Sequence, residues 1–149
     1  MHIREANSSD IPSLIDFQLK MALETENIQL EISTLTRGVN RLMKDPTKGK
    51  YYVAEDAAEI IGCLMITFEW SDWRCGNVLW LQSVYVAEKW RSKGVYRKLY
   101  DHVQSIVEHD PDLKGIRLYV DKSNLRAQEI YSHHGMNGEH YTVFEWMKI

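Results

Sequence analysis

The sequence predicts an α/β fold, a central mixed sheet with helices on both faces. Three observations predict it. Along the chain, strand-like and helix-like hydrophobic periods follow the order strand, two helices, three strands, helix, strand, helix, strand. A strand–helix–strand run over residues 78–120 calls for a right-handed parallel crossover. A length of 149 residues suits a single domain, 1–149, and no linker, internal repeat or low-complexity tract divides it.

Each element has its own signature. Residues 2–6 read as a short strand, and Asn7-Ser8-Ser9-Asp10 then offers N-cap residues for a helix that accepts Pro12 in its first turn. Ile11, Leu14, Ile15, Leu19 and Ala22 share one face of that helix. A second helix is expected over about 28–43, closed before Pro46. Residues 51–54 and 60–70 form a hairpin around the turn at 55–58. The second of these strands is apolar on both faces, which makes it central. Residues 78–86 make another long strand. After Gly94, Val95, Leu99, Val103, Ile106 and Val107 mark an amphipathic helix that stops before Pro111. A strand over 116–120, a helix over 125–134 closed by Gly135, and a last strand over 141–147 complete the order.

Composition narrows the function. Hydrophobic residues are 44% and charged residues 26%, the balance of an ordinary globular protein with a core to bury. A net charge of −3 gives no basic surface of the kind a nucleic-acid partner requires. The charged start, Met1-His2-Ile3-Arg4-Glu5, does not read as a signal peptide, and no apolar run reaches membrane-spanning length, so a cytoplasmic protein without a membrane partner is expected. Cys63 and Cys75 have no ligand spacing, and the adjacent His133 and His134 cannot share a helical face, so no metal is expected.

The most informative stretch is Arg91-Ser92-Lys93-Gly94-Val95-Tyr96-Arg97-Lys98, a basic glycine-containing turn between a buried strand and a helix start. Unpaired backbone N–H groups and the helix dipole at such a place suit a phosphate, and four cations surround it. Neither GxxxxGK[ST] nor GxGxxG is present, which removes the main support for a nucleotide or dinucleotide site. Alone, the segment reads equally well as a helix start with a solvated basic face.

A second segment changes the balance: Asn124-Leu125-Arg126-Ala127-Gln128-Glu129-Ile130-Tyr131, followed by His134-Gly135-Met136. Together the two segments resemble the GNAT (GCN5-related) N-acetyltransferase superfamily. Residues 91–96 match its Q/R-x-x-G-x-G/A loop and residues 124–131 its N-x-x-A-x-x-x-Y helix. The likeness covers nearly the whole chain in element order. Tyr96 stands where the family usually has glycine or alanine.

The resemblance implies an acetyl-CoA-dependent transfer to an amine. It places the CoA pyrophosphate on the backbone from Lys93 through Gly94, Val95 and Tyr96 to Arg97, with Arg91 adding charge. The pantetheine arm would pair with Val84 and Val86 as an added strand, with Asn124 on its other side. The main-chain N–H of Val84 becomes the oxyanion donor. Tyr131 becomes the acid that protonates the departing thiolate, a phenol near pKa 10 giving its proton to a thiol near 8.5. As a residue read without that context, Tyr131 is also a plausible core aromatic.

The base is less marked, because Trp80 falls where some members carry glutamate. A water relay is the default, with Glu69 the carboxylate alternative. For the acceptor, Glu24, Glu26 and Glu31 lie near the helix junction that borders the amine site in this family, and each also reads as an ordinary solvated acid. Trp70 and Asp72, with Trp73, form an aromatic and acidic turn that suits an ammonium group or, equally, a homodimer contact. The expected acceptor is a primary amine of a small, polyamine-like or amino-acid-like molecule. A CoA-binding sensor without chemistry and a protein N-acetyltransferase remain open alternatives.

Overall fold

The computed structural model describes all 149 residues, and the chain forms two compact units, Met1–Arg117 and Leu118–Ile149. The first unit holds strands β1 (His2–Glu5), β2 (Lys50–Asp56), β3 (Glu59–Ser71), β4 (Gly76–Val86) and β5 (Leu113–Arg117). It also holds helices α1 (Ile11–Glu26), α2 (Ile32–Lys44) and α3 (Val95–His109). The sheet order is β1-β2-β3-β4-β5, antiparallel except for the parallel β4–β5 pair that the crossover demanded. β3 is central, as its two apolar faces required.

Strand periodicity decides which helix covers which face. Val53 pairs with Cys63 and Ala54 with Gly62, so adjacent residues face opposite ways. On one face Tyr51, Val53, Cys63 and Tyr85 pack with Leu14 and Phe17 of α1 and Val39 of α2. On the other, Tyr52 meets His102 of α3 edge-on at 5.0 Å, and a Cβ on Gly62 would lie 3.1 Å from Val95. Leu14, Leu64, Leu79 and Leu99 are fully buried, each contributing about 1.5–3 kcal/mol by removal from water.

The start of α1 is fixed by local chemistry. Asn7 and Asp10 form a capping box around the short 3₁₀ turn Ser8–Asp10, and Asp10 accepts the Asn7 N–H at 2.8 Å. Asp10 also receives both Arg4 Nη atoms, at 2.7 and 2.9 Å, while Arg4 Nε donates to Glu55 at 2.7 Å. One guanidinium thereby joins β1, β2 and the helix start. The Arg4 hydrogen bonds hold the Asp10 carboxyl below its ordinary value, outweighing the opposing effect of burial. A depressed native value contributes stability above the unfolded pKa near 4, and loses it as pH falls through the native value. Asp10→Asn is therefore expected to cost about 1–3 kcal/mol at pH 7, with the gap to the parent protein closing below pH 4 in urea titrations.

α2 begins at Ile32, later than the expected 28. Asn27 adopts a left-handed conformation (φ 53°) that ends α1, and Glu31 caps α2 by accepting from the Ser33 and Thr34 backbone N–H groups. β5 lies at Leu113–Arg117, earlier than the expected 116–120, because the parallel register sets Leu113 against Asn77 and Arg117 against Trp80.

The second unit contains α4 (Leu125–His133), started by the Asn124 side chain accepting from Ala127 N–H at 3.1 Å. Residues 135–149 carry no regular secondary structure, so the strand expected over 141–147 does not form.

Burial separates the two cysteines. Cys63 is fully buried in the core and its thiol is pushed up to about 12 by burial, whereas Cys75 is exposed in the β3–β4 turn. Alkylation of the folded protein should therefore modify Cys75 alone, and mass spectrometry of tryptic peptides should find Cys63 labelled only after denaturation.

Candidate functional site

The site grows from an irregularity in β4. Against β3, Tyr85 faces Cys63 and Gln82 faces Met65, so Ser83 and Val84 together oppose the single residue Leu64. This is a β-bulge, which bends the strand and breaks the ladder at that point. Ser83 takes a left-handed conformation (φ 52°), unusual for a residue with a side chain and costing about 1–2 kcal/mol, and its carbonyl accepts from the Cys63 thiol at 3.5 Å. On the other side, β5 pairs with β4 only from Asn77 to Trp80. Residues 81–86 of β4 thus extend beyond the β5 ladder and leave an edge to which an extended ligand can add.

β4 leads through the short turn Glu88–Trp90 to the loop ahead of α3. Ser92 (φ 61°) and Gly94 (φ 78°) are both left-handed, and no side chain caps the first turn of α3. A backbone coiled in this way aims its N–H groups into one concavity, and the helix dipole favours an anion there. A Cβ on Gly94 would meet nothing within 4 Å, so the space over the loop is open. The loop therefore leaves an anion an open approach to its backbone. Tyr96 lies against Tyr100 with ring centroids 6.1 Å apart, so its bulk runs along the helix.

The basic side chains divide. Arg91 turns back into the protein: its Nε donates to the Val86 carbonyl at 3.0 Å and its Nη2 to Glu24 at 2.6 Å. Tyr85 Oη donates to the same carboxylate at 3.0 Å, and the Arg91 guanidinium lies 5.4 Å from the Tyr85 ring centre. Glu24 and Arg91, assigned from the sequence to acceptor and CoA respectively, are partners of each other. Lys93 lies over the Trp90 ring at 5.1 Å, and Arg97 is exposed near Asp101.

The other acceptor candidates are spread out. The Ser33 and Thr34 hydroxyls, with their backbone N–H groups, lower Glu31 to about 2, which marks it as a helix cap. Glu69 accepts from Trp80 Nε1 at 2.8 Å and from Arg117 Nη1 at 2.8 and 2.9 Å. The Trp80 bond and then the Arg117 contacts hold its carboxyl below the usual range, which favours the anion and weakens it as a base. Glu69 also pairs with Val78, six residues from Val84 along β4, a separation on the order of 20 Å at about 3.4 Å per residue. The structure does not bring it to the Val84 amide. Trp70 and Asp72 are exposed at the β3–β4 turn, where Asp72 accepts from Trp73 N–H, and Trp73 is 91% exposed.

In the second unit the Asn124 side-chain oxygen is the cap of α4, and Tyr131 lies on that helix. Burial raises the Tyr131 phenol above its ordinary value, which keeps it protonated at neutral pH. The sequence did not reveal Ser83 or Ser92, whose left-handed conformations shape the bulge and the loop. Nor did it reveal Tyr85, the link between α1 and β4.

The Acetyltransferase (GNAT) family model matches residues 17–136. No curated protein matches the sequence. A solved possible acetyltransferase from Clostridium difficile 630 is 39% identical with a TM-score of 0.93, over 99% of this chain and 97% of its own. Two more distant structures share the fold. One is a predicted acetyltransferase from Clostridium acetobutylicum solved with acetyl-CoA, at 19% identity and TM-score 0.75 over 99% and 94% of the two chains. The other is an aminoglycoside acetyltransferase from an uncultured soil metagenomic sample, in complex with trehalose, at 17% identity and TM-score 0.77 over 99% and 95%. No helix is long and apolar enough to cross a membrane. A family match over most of the chain, joined to a bulged β4 and an open loop ahead of α3, places this chain in the GNAT family as an acetyl-CoA-dependent N-acetyltransferase.

Proposed function

We propose that the protein acetylates a primary amine of a small molecule by direct attack in a ternary complex. The bulge at Ser83 and Val84 carries this reading, because it interrupts the ladder beside an edge that a pantetheine arm can follow. The arm would run along Val84 and Val86, with its pyrophosphate at the loop from Lys93 to Arg97.

The chemistry then balances with few groups. The amine nitrogen attacks the thioester carbonyl, and the Val84 N–H stabilises the developing oxyanion. The carbon–sulfur bond breaks, Tyr131 gives its phenolic proton to the thiolate, and the amine proton leaves through water. Water is preferred to Glu69, which is tied to Trp80 and Arg117 and lies far along β4. Glu24 borders the acceptor side, held through Tyr85 to the residue after Val84, and it gives an ammonium group a carboxylate to approach. Trp70 and Asp72 would contribute only to a long acceptor that reaches the hairpin turn.

The test is thiol release from acetyl-CoA across a panel of polyamines, amino acids, amino sugars and aminoglycosides, with a lysine peptide as the macromolecular control. Turnover is expected with at least one small amine at a kcat/KM well above that of the peptide. CoA binding without turnover on any amine would sink the proposal and favour a sensor.

A further inference from the structure

We infer that Cys63 of β3 is a positioning residue for the oxyanion donor, its thiol holding by the carbonyl the same peptide unit whose N–H belongs to Val84. The inference rests on the assignment of that N–H made above. The first observation is the bond itself. The Cys63 thiol donates to the Ser83 carbonyl oxygen at 3.5 Å, within the longer reach of sulfur. The carbonyl of residue 83 and the N–H of residue 84 are two ends of one planar group.

Planarity gives this contact a direction. The Ser83–Val84 peptide is trans, as no peptide bond in the chain is cis, so its C=O and N–H point opposite ways. Drawing the oxygen toward Cys63 on β3 turns the Val84 N–H to the side of β4 away from β3. On that side residues 81–86 run past the β5 ladder, where the acyl donor's arm is placed.

The second observation is that the sulfur is itself held. Gln18 of α1, only 4% exposed, donates its side-chain amide to Cys63 Sγ at 3.8 Å, and the Tyr85 N–H donates to the same sulfur. With two donors aimed at the sulfur, its own proton is directed to Ser83. Burial keeps the group a thiol across the neutral range. The Ser83 and Tyr51 hydroxyls are hydrogen-bonded to each other, so the left-handed residue is fixed at its carbonyl and at its side chain. Packing alone would favour an apolar residue at position 18, because a buried amide carries a desolvation cost. A run of polar groups from α1 to the bulge gives that glutamine a purpose.

The same run transmits polarity. Hydrogen bonds in series strengthen one another by about 10–30% per bond. An oxyanion donor contributes about 10²–10³ to kcat, and that fraction of its logarithm is a factor of roughly 2 to 8. The Val84 bond reaches full strength only as charge develops on the oxygen, so the factor falls on kcat and spares KM for acetyl-CoA.

Cys63→Ala leaves a void and Cys63→Val adds volume, so the two variants disturb packing in opposite senses and share the loss of the S–H donor. Both should lower kcat by the same factor of roughly 2 to 8, with KM for acetyl-CoA little changed, in samples matched for helical circular dichroism. A fall in one variant alone, or in neither, would overturn the inference. The infrared carbonyl band of acetyl-CoA, isotope-labelled at that carbon and bound without an amine, separates the inference from the reading beneath it. In the parent protein the band should lie below its frequency in an aprotic solvent, and in both variants it should move back toward that frequency. A parental band at the aprotic frequency removes the Val84 assignment and the positioning role with it. A band lowered equally in parent and variants removes the role of Cys63 and leaves Val84 as the donor. A further measurement leaves the core untouched: in Cys75→Ser, altered only at the exposed turn, Cys63 is the one remaining thiol. Its S–H stretching band should shift to lower frequency when acetyl-CoA binds, and an unmoved band would count decisively against the inference.

Discussion

Tyr131→Phe is expected to lower kcat by roughly 10²- to 10⁴-fold, the range general acid catalysis contributes. The substitution removes one oxygen and keeps the ring, so the packing of α4 and the affinity for acetyl-CoA should change little. Burial has raised the Tyr131 phenol, so the proton is in place throughout the neutral range. An acid works while it holds its proton and fails as pH rises through its pKa. Raising that pKa moves the loss to the alkaline side of about 10, and kcat should show no decline from this group between pH 7 and 9. Thiol release at saturating acetyl-CoA measures both effects, and a Phe variant retaining a third of parental kcat would exclude Tyr131 as the proton donor.

Gly94→Glu should act on the other half of the reaction, raising KM for acetyl-CoA on the order of 100-fold with a much smaller change in kcat. Two causes combine. A side chain at φ 78° costs about 1–2 kcal/mol of backbone strain. The carboxylate would then enter the open space over the loop, where like charges at 4 Å repel by about 4 kcal/mol at an effective dielectric near 20. Gly94→Ala separates the two, since it carries the strain without the charge and should raise KM about tenfold or less. Equal KM values for the two variants would show that no anion sits over Gly94.

The sequence and the structure agree where the signal is local and diverge where it is not. The central place of β3 was readable because a strand apolar on both faces must be covered twice, and the loop at Gly94 because a glycine between strand and helix is a local cue. Glu31 offered a local cue as well: an acid two and three residues before Ser33 and Thr34 at a helix start is a cap, and that pattern could have separated it from the acceptor candidates. Glu24 could not be resolved this way, because Tyr85 and Arg91, which hold it, lie 61 and 67 residues further along the chain. The bulge was invisible for a different reason. Asn and Gly advertise a left-handed conformation, whereas serine does not, so Ser83 gave no sign that β4 would gain a residue against β3. Residues 141–147 have the composition of a strand, but composition records only a capacity to pair.

The bulge also bears on how such proteins drift. Under the proposed assignment, what β4 offers at Val84 and what the loop offers around Gly94 is main chain, common to every amino acid, so substitutions at most surrounding positions would leave the offered atoms where they were. The constraint falls on conformation, chiefly the left-handed turns at Ser83, Ser92 and Gly94. On that assignment, side-chain changes that keep these conformations would spare the acyl-donor side and leave the acceptor side open to change.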